Sequence, residues 1–199
     1  MQNFATPAPI ATVLDLPAGR VQLIAADRAD TAVDVRPADA ARSRDVKAAE
    51  KTRVEFADGV LRITGDAGGT LLGSSGAVDI TVQLPAGSRV EAKVAAAEFR
   101  GVGRLGDVAL EAAQSDVKID EVAGLKVSTQ AGDVTVGRLT GSAEISTQKG
   151  DITVATALSA SLDAGTTYGR VHNSLKNDGT AALHIHATTA YGDITARGL

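Results

Sequence analysis

The chain has 199 residues, 44% of them apolar but only 3% aromatic, with a net charge of −4 and a pI near 5.4. That length builds one good core or two small ones, and the acidic balance lacks the electrostatic footprint of a nucleic-acid binder. The absence of cysteine excludes disulfides, thiol catalysis and cysteine-based metal sites. The N-terminal stretch MQNFATPAPIATVLDLPAGRV carries neither the basic region nor the apolar run of a signal peptide. No run of about 18 apolar residues occurs anywhere. With Met1 as the native start, the expected location is the cytoplasm, without membrane insertion.

Period-two alternation then dominates. GRVQLIA places Val21 and Leu23 on one face, TAVDVRP does so with Val33 and Val35, GVLRITG with Leu61 and Ile63, and VDITVQLP with Val78, Ile80, Val82 and Leu84. These are half-buried strands bounded by Gly, Pro and Asp-Gly turns. Residues 1–88 read as an N-terminal β-sheet region, a small sandwich or open roll that caps the remainder of the chain. Two segments interrupt it. PADAARSRDVKAAEK at 37–51 is Ala-rich and charged, and fits either a helix of two or three turns or an irregular exposed crossing. DAGGTLLGSSGA at 66–77 is a Gly/Ser-rich loop, and Leu71 and Leu72 within it are apolar side chains that a partner could meet.

From about residue 89 a repeat takes over. STQ at 128–130 returns at 146–148, and GDVTV at 132–136 returns as GDITV at 150–154. Leu110, Val127, Ile145 and Leu162 form one apolar column, and Val117, Val134, Ile152 and Val171 a second. A final unit carries Leu183, Ile185 and YGDITA, its longer interval filled by the insertion NSLKNDGT. A unit of two short strands cannot bury its apolar face alone; stacked units can. The fold class is therefore all-β, with the N-terminal region continuing into a single-stranded β-solenoid over 89–199. Each coil has about 17–18 residues, and successive coils lie about 4.8 Å apart.

VDITVQLPAGSRV at 78–90, the GDVTV and GDITV repeats, and the closing AYGDITARGL at 190–199 together resemble a large bacterial family of unknown function labelled "putative adhesin". The resemblance spans nearly the whole chain. It implies β-strand repeats behind an N-terminal β region and a surface role, and it implies no activity.

Stacking would align Asp116, Asp133, Asp151 and Asp193, with Arg170 interrupting them. The Gly-Asp pair reads as a corner: Gly at positive φ, Asp accepting backbone N–H bonds. Calcium-binding β-rolls use denser Gly/Asp repeats, and paired catalytic acids need unlike environments. His184 and His186 flank Ile185 and share the outer face, with His172 on a neighbouring coil. Tyr168 and Tyr191 precede the Gly of their coils, to stack outside or to cover the C-terminal end. Outward Thr and Gln ladders are expected on the walls. No nucleophile elbow, Walker or dinucleotide motif occurs.

The function expected is a non-enzymatic scaffold or interaction module without metal or cofactor. It meets a protein rather than nucleic acid, as a monomer or small homo-oligomer. Leu71, Leu72, Tyr168, Tyr191, His172, His184 and His186 are its candidate contact residues. The alternatives are a bactofilin-like assembly protein that polymerises end to end, and a carbohydrate-binding or polysaccharide-acting β-helix protein.

Overall fold

The structure is a computed structural model and describes residues 1–66 and 76–199. Leu71 and Leu72 lie outside the described residues.

In chain order the described strands are β1 (Gln2–Ala5), β2 (Ala11–Ala26) and β3 (Asp30–Pro37). Helix α1 (Ser43–Lys51) follows, then β4 (Arg53–Ala57), β5 (Val60–Thr64), β6 (Val78–Pro85), β7 (Arg89–Leu105) and β8 (Val108–Val122). Shorter strands come next: β9 (Leu125–Ala131), β10 (Val134–Leu139), β11 (Ala143–Lys149), β12 (Ile152–Thr156), β13 (Ala160–Tyr168), β14 (Val171–Ser174), β15 (Leu183–Tyr191) and β16 (Ile194–Gly198). These strands belong to one sheet. The ambiguous 37–51 segment resolves into α1, with Asp45 buried and accepting from the Ala77 N–H.

The long strands set the pattern. β2 pairs in parallel with β7 from Ala11–Arg89 to Ala25–Gly103, and β7 pairs in parallel with β8. Beyond β8 the sheet divides into two limbs. β9, β11, β15 and β13 continue the first half of β8; β10, β12, β16 and β14 continue the second. Each pair of strands, one per limb, forms a tier. Val117 faces Val134, 17 residues on, and Val134 faces Ile152, 18 on. Inward side chains from both limbs join one buried cluster of Val, Ile, Leu and Ala, in which Phe99 is the one fully buried aromatic among the described residues. The period-two alternation seen in sequence is this inside/outside alternation.

The order of the last tiers departs from the order of the chain. Ile145 does not face Leu162. It faces Ala187, and Leu162 faces Ile185. The tier of β15 and β16 is inserted between the β11–β12 tier and the β13–β14 tier. Val171, expected inside, is therefore on the outermost strand and 45% exposed. The side chains account for the exchange. The inserted tier turns Leu183, Ile185, Ala187, Ile194 and Ala196 inward, all buried. The outer tier offers Ala160, Leu162, Ala164 and Val171, smaller at Ala160 than the Leu183 it faces, but also Asn173, which falls where the neighbouring tiers place Ala196 and Val154. The more apolar tier takes the position covered on both sides.

The two ends of the stack differ. At one end β4 pairs antiparallel with β5, β3 with β6, and β1 with β3. Phe4 and Phe56 meet there with ring centroids 5.3 Å apart. At the other end β13 pairs with β15, β14 pairs with β16, and no described strand pairs with their outer edges.

Candidate functional site

Three columns of side chains offer chemistry, each made by the stacking. The first is the Gly-Asp corner. Gly132, Gly150 and Gly192 adopt φ of 128°, 147° and 149°. A β-carbon at Gly150 would overlap the carbonyl oxygen of Gly132, and one at Gly192 would overlap that of Gly150. The chain turns so tightly here that each tier leans on the backbone of the last. The aspartates then form a staircase. The Asp133 N–H donates to Asp116 Oδ1 at 3.0 Å, the Asp151 N–H to Asp133 Oδ1 at 2.8 Å, and the Asp193 N–H to Asp151 Oδ1 at 2.8 Å. Each carboxylate thus answers the backbone of the next tier, which offsets the repulsion between stacked like charges.

Arg170 ends this staircase rather than interrupting it, because its tier is outermost. Its backbone N–H donates to Asp193 Oδ1 at 2.9 Å and its Nη2 to Asp193 Oδ2 at 3.0 Å. That N–H, and then the guanidinium, hold the Asp193 carboxyl below the usual carboxylate range. At the other end Arg20 bonds Glu98, which faces Asp116. The acidic run is bracketed by two arginines.

The second group is at the open end. Tyr168 and Tyr191 are register partners and stack, centroids 4.9 Å apart and planes 8° apart. They are 64% and 57% exposed, so they lie on the outside rather than over the end. His184 and His186 share the outer face of β15. His184 Nδ1 shares a 2.5 Å hydrogen bond with the Ser161 hydroxyl, and His186 Nδ1 is 2.9 Å from Asp163 Oδ2. His172 lies on the other limb, opposite Thr195, and does not join them. Among the described residues no group of three or more His, Asp or Glu side chains is arranged to hold a metal ion.

The third is the outer face of the first limb. Ser128 faces Ser146 across tiers, and Lys126 pairs with Glu144 at 3.2 Å. A shallow groove of about 760 Å³ runs over this face, lined by Lys93, Glu111, Ser128, Gln130, Ser146 and Gln148. The Thr of each STQ repeat is a correction to the outward ladder expected. Thr129, Thr147 and Thr189 are buried, and Thr129 and Thr147 donate to corner carbonyls, those of Ala131 and Lys149. Alternation requires it, since Thr129 lies two residues from inward Val127. Ser161 and Asp163, the partners of the histidines, are not legible in the sequence, because the register that pairs them depends on the exchanged tiers.

Comparison with known proteins bears on fold more than on chemistry. A crystal structure of a "putative cell adhesion protein" from Clostridium sporogenes matches with TM-score 0.51 and 15% identity, covering 100% of this chain and 98% of that one. One of a "putative adhesin" from Bacteroides fragilis matches with TM-score 0.44 and 14% identity, covering 98% and 95%. One of a "putative lipid binding protein" from Parabacteroides distasonis gives 0.40 and 11%, covering 96% and 95%. No curated protein matches the chain. The family model Toastrack DUF4097 matches residues 12–198, nearly the full length, and this chain of stacked β-tiers belongs to the Toastrack DUF4097 family.

Proposed function

We propose that the chain is a β-solenoid of about 17–18 residues per coil that acts without catalysis, as a scaffold presenting the outer face of its first limb to a protein. The observation that carries this reading is the groove over that face. Ser128, Ser146, Gln130 and Gln148 line it in repeated positions, and Lys93 and Glu111 border it. Hydroxyls and amides both donate and accept, so such a row suits the polar edge of a partner's backbone or loop. The acids support the same reading. Asp116, Asp133 and Asp151 each receive one backbone N–H from the next tier, a uniform environment unlike that of a general acid and its base. Adhesion, the role in the name of the Clostridium sporogenes protein, is of this kind.

A photo-crosslinking residue placed at Gln130, compared with one at Thr153 on the other limb, tests it in lysate of the native host. A discrete protein adduct from position 130, lost in the variant Ser128→Arg/Ser146→Arg, is expected. Equal labelling from both positions, or adducts that survive the two substitutions, would overturn it.

A further inference from the structure

The stack finishes in the antiparallel pairs β1–β3 and β4–β5 at one end and in the parallel tier β13–β14 at the other, and the β13–β14 end has the features of an interface with a second copy of itself. β13 and β14 present two strand edges, one per limb, that no described strand covers, although the segment after β14 reaches the start of β13, where the Ala160 N–H donates to the Lys176 carbonyl at 3.0 Å. Between them lie Leu162 and Ala164, half-buried where their counterparts in the inner tiers are covered, and Val171, 45% exposed. A peptide strand could pair with one limb only. Covering both limbs and the apolar interior between them requires another tier of the same cross-section.

We propose that two chains meet open end to open end about a twofold axis, with β13 antiparallel to the partner's β13 and Ala164 at the centre. An isologous contact of this kind is self-complementary by construction, and two outer edges running in opposite directions complete a ladder. In this register Leu162 faces the partner's Thr166, large against small, and the shared ladder runs from Leu162 to Thr166, because the Ala160 N–H is already held by the Lys176 carbonyl. Asp163 faces the partner's Gly165, so the two carboxylates do not oppose each other. Inward positions meet inward positions, and the core continues across the axis.

The charges agree. Beyond Tyr168 comes Arg170, 88% exposed at its side chain. Beyond the ladder the same direction brings it to the partner's segment after β14, where the Ser159 hydroxyl is bonded to Asp178 at 2.7 Å. Each twofold contact therefore sets Arg170 beside the partner's Asp178, twice. The opposite end, built of the antiparallel pairs β1–β3 and β4–β5 with Phe4 on Phe56, offers no matching parallel tier, so association stops at two and no filament grows.

Sedimentation of the whole chain from micromolar to submillimolar concentration should show a species of twice 20.2 kDa. Arg170→Glu or Asp178→Arg alone should weaken dimerisation about tenfold, and the double exchange should restore it. Circular dichroism melts certify that each variant is folded. Because the chain has no cysteine, Ala164→Cys supplies a single thiol on the axis, and mild oxidation should link two chains through it, whereas Thr153→Cys on the side wall should stay unlinked. A monomer at all concentrations, a mass beyond two chains, no disulfide link in the Ala164→Cys variant, or a double exchange no better than the single changes would each overturn the proposal.

Discussion

Gly150 illustrates how one position limits the whole corner. Its φ of 147° disfavours any side chain, and a β-carbon there would overlap the Gly132 carbonyl oxygen. Gly150→Ala is expected to cost about 1–3 kcal/mol from the backbone conformation alone, more once the tiers separate to relieve the overlap. Gly165, with open space around it and no positive φ, is the control: Gly165→Ala should leave the melting temperature unchanged or slightly raised. Asp193 adds a pH dependence. Its carboxyl is held below its ordinary value by Arg170, so its folded pKa is depressed relative to the unfolded chain. Such a group contributes stability above about pH 4, and that contribution is lost as pH falls through the folded value. Asp193→Asn should therefore melt earlier than the parent near neutrality, and the gap should narrow as the pH falls below the ordinary carboxylate range. A gap that is constant with pH would place the effect in packing rather than ionisation.

At the scale of the element, the tier order makes a contrast the chain order does not. Val127 and Ile145 are buried, with tiers on both sides. Val127→Asp or Ile145→Asp puts an unpaired carboxylate in the stacked core, at a cost of several kcal/mol, and should unfold the C-terminal half. Val171 belongs to a tier with one neighbour. Val171→Asp should lower the midpoint only slightly. Three similar melting curves would mean that the β13–β14 tier is enclosed after all. The strands themselves are readable from alternation, because the pleat converts period two directly into inside and outside. The helix over Ser43–Lys51 is readable only as one of two options. Its sequence has the Ala and charged residues of a helix but no capping side chain at Arg42 to declare a start.

For the whole molecule, the N-terminal strands act as the first tier and its cover. β2 pairs with β7 over most of its length, and β5 and β6 extend the two limbs beyond it. Deleting residues 1–88 would leave the edge of the long strand β7 bare beside Val90, Val94 and Phe99, all buried in the intact chain. Unpaired parallel edges of that length recruit other chains. Light scattering should report aggregation of the truncated chain under conditions where the full chain stays clear. A soluble truncated monomer would show that the N-terminal strands are dispensable as a cover.

The strand alternation, the Gly-Asp corner and the inward columns as far as Ile145 and Ile152 were legible in the amino-acid sequence itself. Each rests on local chemistry: a side chain's hydrophobicity, glycine's freedom at positive φ, and a carboxylate one residue from a turn. The order of the last tiers, the pairing of Ser161 with His184 and of Asp163 with His186, and the openness of one end were decided only by tertiary structure. Parallel backbone pairing accepts almost any neighbour of matching length, so similar tiers do not announce which lies upon which. What chose between them was a small difference in apolar content, Asn173 and smaller inward side chains against a tier whose inward positions are apolar but for Thr189, and that difference acquires a meaning only once a third tier is present to cover one and leave the other bare.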